Sequence, residues 1–234
     1  MFEGLFTQLI DFDADLFRNI KGMRVSQDLF DDLADRASHR AVAMAATMTT
    51  KPHSPSPLLT RPFDYGTALT HPFQSENWHE TRFSDGTTFG VWYGSQQVKT
   101  TVFETVYHWT RFVLDSFPDC KDTIISERRV FRAHCRGLLV DLRDKHLTFP
   151  QLINPSSYEF SNQVGAYLYE RHANGLLVKS ARFDGINGDV LNADALSNPR
   201  DHCYLTYSWR PDTPYARIER TPGRAWMKLP ITLG

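Results

Sequence analysis

Cysteine is scarce in this chain. Its three residues, Cys120, Cys135 and Cys203, include no CxxC pair, so neither a disulfide framework nor a thiolate metal knuckle is expected and a reducing compartment fits. An excess of charge is missing too. Lys and Arg total 26 against 27 Asp and Glu, a formal net charge of -1, which does not favour direct contact with nucleic acid. No apolar run approaches the roughly 20 residues that span a bilayer. The opening "MFEGLFTQLIDFDADLF" carries acids where a signal peptide needs a basic segment and an unbroken apolar run. These absences point to a soluble, cytoplasmic protein without membrane association. The sequence holds no GxSxG elbow, P-loop or GxGxxG, no internal repeat and no low-complexity tract. None of its nine histidines is spaced as HxH, HxxxH or HExxH, so no metal site is expected. His134 and Cys135 are neighbours in "VFRAHCRG", which sends them to opposite faces if this is a strand.

What is present is ordinary globular material. With 41% hydrophobic and 23% charged residues over 234 positions, the chain can fill one core, or one core and a small appendage. Residues 1–49 read as helical. In the second half of that stretch Leu29, Phe30, Leu33, Ala34 and Ala37 mark one helix face, Ser26 is a plausible N-cap and Asp28 sits in the first turn. Prolines 52, 55 and 57 in "TTKPHSPSP" then forbid a helix and mark a linker. Beyond it, "TFGVWYG", "GLLVDL", "GLLVKS" and "HCYLTYSW" read as strands. A helix is predicted over about 96–117, with a stripe of Val98, Val102, Val106, Trp109 and Val113. A second is predicted over about 157–173, with Gly175 as its C-cap. Strands follow one another near the C-terminus, so the expectation is an α+β fold: a mixed central sheet flanked by helices. The domain reading is a helical extension over 1–50 and one domain over 58–234.

Three polar residues punctuate "ETRFSDGTTFGVWYGSQQVKTTVFETVYHW" at intervals of eleven: Arg82, Tyr93 and Glu104. Each has a plain explanation taken alone. Arg82 precedes the turn signal "SDG", Tyr93 ends an apolar strand, and Glu104 lies on the helix side away from Val102 and Val106. A second segment, "GLLVKSARFDGINGDVLN", ends a strand at Ser180 and continues through Arg182 into a Gly/Asn-rich turn, a common ligand position in such folds.

Together these segments resemble the RES domain, a family named for an arginine, a glutamate and a serine, which fall here on Arg82, Glu104 and Ser180. Tyr93 and "TTVFE" stand at the family's spacing, and "LLTRPFDYG" resembles its opening strand, which puts a further arginine at Arg61. The chain departs from the pattern in having "ETRF" where many members have "GGRW", and Thr101 where alanine is usual. The likeness covers about residues 58–210. It implies a fold similar to that of ADP-ribosyltransferases and a toxin of a bacterial toxin–antitoxin pair that degrades NAD+. Its partner would be an Xre-type antitoxin that carries the DNA contact.

That chemistry suits the residues. Breaking the nicotinamide–ribose bond develops an oxocarbenium-like sugar, which an oriented carboxylate, Glu104, would stabilise. The diphosphate calls for arginine forks, assigned to Arg82 and Arg61, with Arg182 and Asn187 as further contacts. Tyr93 and Ser180 would wall the nicotinamide. Nicotinamide leaves readily, so no strong acid and no cofactor are needed; NAD+ is substrate and inorganic phosphate a candidate co-substrate. Phosphorolysis, hydrolysis and ADP-ribosyl transfer to a macromolecule remain open, as does a non-catalytic nucleotide- or partner-binding module. The apolar stripe in the first 50 residues asks for a partner, either the domain itself or a second copy in a homo-oligomer.

Overall fold

The computed structural model describes residues 2–22 and 64–231. Leu9–Lys21 forms strand β1, which corrects the helical reading of the first 49 residues at these positions. The local reason is a period of two: Ile10, Phe12 and Leu16 alternate with Asp11, Asp13 and Asp15, and Phe12 and Leu16 are buried. The helix read around Ser26, Leu29 and Ala37 lies outside the described residues.

The remaining strands are β2 (Trp92–Ser95), β3 (Ile124–Leu142), β4 (Gly175–Lys179), β5 (Ile186–Val190), β6 (Leu196–Trp209), β7 (Tyr215–Thr221) and β8 (Arg224–Pro230). They make one mixed sheet of eight strands. Among the described strands only the β3–β4 pairing is parallel. β1 runs antiparallel along β3, from Leu9↔Val140 to Lys21↔Arg128, and also meets β2 at Phe17↔Ser95. With β2 on β5, β5 on β4 and β4 on β3, five strands close into a ring. β6, β7 and β8 extend the sheet from the other edge of β3. The first residues are therefore part of the sheet and not an appendage to it.

Among the described residues three α-helices pack on this frame: α1 (Tyr65–Thr70), α2 (Val98–Ser116) and α3 (Glu159–Glu170). On α2 the predicted stripe is buried at Val102, Val106, Trp109 and Val113, against Leu205, Tyr207, Trp209 and Ile218 of β6 and β7. α3 sets Val164 and Leu168 against Phe83, Leu152, Leu176 and Val178. A third cluster gathers Phe12, Leu16, Trp92, Leu139, Leu177 and Val190. α3 also ends differently from the reading that made Gly175 its C-cap. His172 takes the left-handed conformation (φ 57°), its N–H bonds the Tyr169 carbonyl (2.9 Å) and the Ala173 N–H reaches the Leu168 carbonyl (3.1 Å). That is a Schellman ending with histidine in the usual glycine place, and Gly175 opens β4 instead.

Glycines let this frame close tightly. Gly94 and Gly188 face each other across β2 and β5. A Cβ on Gly188 would lie 2.6 Å from Leu16 Cδ1, and one on Gly94 2.4 Å from the Trp92 ring. Here β1 lies against the two short strands that carry the polar residues described next.

Candidate active site

A cavity of about 500 Å³ opens where β1, β2, β5, α2 and the segment before β2 converge. Its size is in the range of small-molecule sites, roughly 300–1,000 Å³. Register explains the polar floor. Tyr93 pairs with Asp189 and Ser95 with Asn187 across β2 and β5, so all four side chains leave one face of the sheet. α2 lies over them and contributes Thr101, Glu104, Thr105 and His108, spaced at i, i+3, i+4 and i+7. The helix thus carries an apolar stripe toward β6 and β7 and a polar stripe toward the cavity.

Glu104 is the centre of a hydrogen-bond relay. Its Oε1 accepts from Ser180 Oγ (2.6 Å) and from Asn187 Nδ2 (3.0 Å), while Asn187 Oδ1 accepts from Ser95 Oγ (2.7 Å). Its Oε2 has no hydrogen-bond partner among the described residues. One carboxylate oxygen is thereby locked and the other is left for a ligand. The glutamate is half-buried and is not the solvated helix residue that its place opposite Val102 suggests.

Ser180 sits behind Glu104. It is 4% exposed, and its Oγ accepts from the backbone N–H groups of Arg182 and Phe183 (both 3.1 Å) while donating to the carboxylate. It does not border the cavity, so it orients Glu104 and forms no wall for a ligand. Tyr93 borders the cavity, but its hydroxyl is already engaged. It donates to Thr81 Oγ1 (2.8 Å) and accepts from the Phe83 N–H (3.0 Å), and burial, helped by Asp189, raises its pKa. Arg82 borders it too, with its guanidinium on the Tyr158 ring (4.7 Å) and Nη1 donating to the carbonyls of Asn154 (2.8 Å) and Leu152 (3.3 Å).

Arg182 is placed elsewhere. Its guanidinium stacks 3.4 Å from the Tyr107 ring centroid and donates to the Pro155 carbonyl (2.5 Å), away from the cavity lining. Arg61 lies outside the described residues. Cys135 is buried, which pushes its thiol up to about 11, whereas His134 pairs with Asp13 (2.9 Å) on the opposite face. They form no nucleophilic pair.

Two site residues escaped the sequence reading. Arg18 of β1 borders the cavity with Nη1 buried and without a hydrogen-bond partner, its guanidinium 5.2 Å from the centroid of Trp92. Burial lowers its pKa to about 10, against a smaller opposing effect of Tyr93. Asp189 of β5 is 1% exposed, and its Oδ1 has no partner. Burial raises its carboxyl well above the usual range, the Glu104 carboxylate adds to this, and Arg82 opposes it. The alternation that places Asn187 on the cavity face also places Asp189 there, and that was the available signal.

Asp189 makes a stability prediction with a definite sign. A carboxyl whose folded pKa is raised favours folding below its unfolded value, about 3.9, and that contribution is lost as pH rises through the folded pKa. Asp189→Asn copies the neutral form. It is expected to raise Tm at pH 7–8 by roughly 2–12 °C, about 1–3 kcal/mol, with the gain vanishing near pH 3.5. Thermal unfolding of both proteins at the two pH values checks it, and an equal gain at both would refute it.

A second cavity, about 380 Å³ and lined by Phe73, Trp78, Phe89 and Tyr169 among others, has no carboxylate or arginine among its described lining residues. Among the described residues no cluster of three His, Cys, Asp or Glu could hold a metal ion, and no helix is long and apolar enough to cross a membrane.

Fold and site define an α+β protein whose mixed sheet carries a cavity built around one oriented carboxylate. Residues 58–210 match the RES domain family, and the chain belongs to that family. The match takes in Arg82, Tyr93, Glu104 and Ser180 and leaves β1 outside it. A chain in the crystal structure of the M. tuberculosis MbcT-MbcA toxin-antitoxin complex is similar, with a TM-score of 0.46 and 11% identity over 83% of this chain and 86% of that one. No curated protein sequence matches.

Proposed function

We propose that this protein is the toxin of a bacterial toxin–antitoxin pair and that it degrades NAD+ by cleaving the nicotinamide–ribose bond. Membership of the RES domain family supports the reading. The observation that carries it is the half-engaged Glu104 carboxylate at the cavity wall, with Oε1 held by Ser180 and Asn187. A dissociating glycosidic bond places positive charge on the ribose, and a fixed carboxylate stabilises that charge without reorganising. Locking Oε1 sets the direction of Oε2 toward the ribose hydroxyls or the oxocarbenium centre. Nicotinamide departs without a strong acid, so the reaction asks for an oriented carboxylate and not for an acid–base pair. Arg18, whose Nη1 has no hydrogen-bond partner among the described residues, suits an anionic diphosphate together with Arg82 beside the cavity.

The acceptor is phosphate or water. An Xre-type antitoxin that covers the site and makes the DNA contact, a cytoplasmic location and a homo-oligomeric assembly complete the reading. Purified protein incubated with NAD+, with and without inorganic phosphate, tests it when products are resolved by mass. Phosphate-dependent ADP-ribose phosphate identifies a phosphorylase and plain ADP-ribose a glycohydrolase. A labelled macromolecule with neither product would mean ADP-ribosyl transfer, and an intact NAD+ pool with folded, antitoxin-free protein would sink the proposal.

A further inference from the structure

Asp189 is a problem the fold alone does not explain. A carboxyl 1% exposed, on the floor of a polar cavity, makes no side-chain hydrogen bond and no ion pair among the described residues. Leaving such a group unpaired costs stability, so buried polar groups usually have partners. Its surroundings do not favour ionisation. Glu104 from α2 is a second carboxylate in the same cavity, and Arg82, the cation that opposes it, spends Nη1 on two backbone carbonyls. The other titratable groups around the cavity are His108 from α2, His79 and Glu80 from the segment before β2, Tyr93 from β2, Tyr158 just before α3 and Arg18 from β1. None of these is hydrogen-bonded to Asp189.

A neutral carboxyl has one O–H donor and one carbonyl acceptor side by side. The group that answers both at once is a primary carboxamide, whose oxygen accepts and whose N–H donates in a paired ring of two hydrogen bonds. We propose that the neutral carboxyl of Asp189 recognises a primary carboxamide, making it the residue that selects the carboxamide-bearing ring of the substrate. This rests on the NAD+ reading, since nicotinamide carries that group. A carboxylate in its place, as in nicotinate, would meet the Asp189 carbonyl oxygen with its own and lose half the pair. Glu104 and Asp189 then divide the work: Glu104 faces the sugar and Asp189 holds the leaving group.

The test reads binding apart from turnover. Ligand-observed NMR titrates nicotinamide and nicotinate into the wild-type protein, Asp189→Leu and Asp189→Asn, and KM for NAD+ is measured for the same three. Nicotinamide is expected to bind the wild type at least about tenfold more tightly than nicotinate. Asp189→Leu should weaken nicotinamide and raise KM by about tenfold or more, and Asp189→Asn, which keeps a donor and an acceptor, should recover most of that loss. Wild-type affinity should fall as pH rises and the Asp189 carboxyl ionises, and the fall should be absent from Asp189→Asn. Equal binding of nicotinate, no saturable nicotinamide binding, or an Asp189→Leu variant that binds nicotinamide as the wild type does would each overturn the inference. If nicotinamide binds as expected and NAD+ is not consumed, the carboxamide site stands and the enzymatic reading falls. If NAD+ is consumed and Asp189→Leu leaves KM in place, the reverse holds.

Discussion

Glu104→Gln is expected to slow NAD+ cleavage by about a thousandfold while the protein keeps its fold. The substitution is nearly isosteric. A glutamine carbonyl can still accept from Ser180 Oγ and Asn187 Nδ2, the two donors that hold Oε1 now. What disappears is the negative charge, and in the proposed reaction its value lies in the transition state, where the ribose becomes cationic. Losing one preorganised electrostatic contact typically costs about 10²–10³ in rate, and a full charge beside an oxocarbenium ion belongs at the upper end. Because the loss falls on the transition state, it should appear in kcat, with KM for NAD+ changing by less than about threefold. Steady-state kinetics with the circular dichroism spectrum checks both halves. A folded Gln variant that consumes NAD+ at the parent rate would remove Glu104 from the chemistry and take the proposed mechanism with it.

Why could Glu104 be found in the sequence while its surroundings could not? The interval of eleven from Arg82 to Tyr93 to Glu104, with Ser180 after a strand, survives as a one-dimensional pattern. Tyr93, Glu104 and Ser180 sit in or just after regular elements and Arg82 in a turn, so the pattern also points to the elements: α2 was legible at nearly its observed bounds, whereas the strand read over 88–94 is only Trp92–Ser95. What the residues do there was less legible. Ser180 and Arg182 are close in sequence, yet Ser180 turns inward to Glu104 while Arg182 folds back onto Tyr107 and Pro155. That divergence comes from the turn capped by Ser180 Oγ, whose geometry is three-dimensional. Asp189 was hidden for another reason. In "GINGDVLN" an aspartate reads as turn chemistry unless the alternation with Asn187 is followed, and the pairing of β5 with β2 sets it at an interior strand position opposite Tyr93.

β1 is the larger lesson. Its alternation of apolar residues with Asp11, Asp13 and Asp15 keeps period two over seven residues, a strand signal that stands apart from the helical pattern at Leu29–Ala37 further along. The consequence reaches the site, because β1 brings Arg18 and Asn19 to the cavity and closes the ring that seats Gly94 and Gly188 against Leu16. Asn19 ties that wall to the rest of the fold by donating to Tyr207 Oη (2.8 Å), which also bonds Thr105 on α2 (2.9 Å). The edge of the cavity nearest the N-terminus is therefore built by a segment that lies outside the family match.

Gly165→Ala is expected to destabilise the protein by about 3 kcal/mol or more, a fall in Tm of roughly 6–12 °C, and to raise KM for NAD+ in whatever protein remains folded. Gly165 lies within α3, where glycine is a poor helix former, and alanine alone should gain about 0.5–1 kcal/mol. The opposite sign is predicted because an added Cβ would sit 1.8 Å from the Phe83 carbonyl oxygen and 2.7 Å from its carbonyl carbon. Those are backbone atoms and cannot swing aside as a side chain does. Phe83 itself is 0% exposed in the core with Val164 and Leu152, so the displaced segment has no free space to enter. Any shift also breaks the bond from the Phe83 N–H to Tyr93 Oη and pulls Arg82 from the carbonyls of Leu152 and Asn154. Stability and substrate affinity should therefore fall together, although the substitution touches no residue of the cavity. Thermal unfolding followed by kinetics below the lowered Tm separates the outcomes. A Tm equal to the parent's would mean that α3 does not press on this segment. A lowered Tm with KM untouched would mean that Arg82 and Tyr93 hold their places without it, and that the packing of α3 serves the core alone.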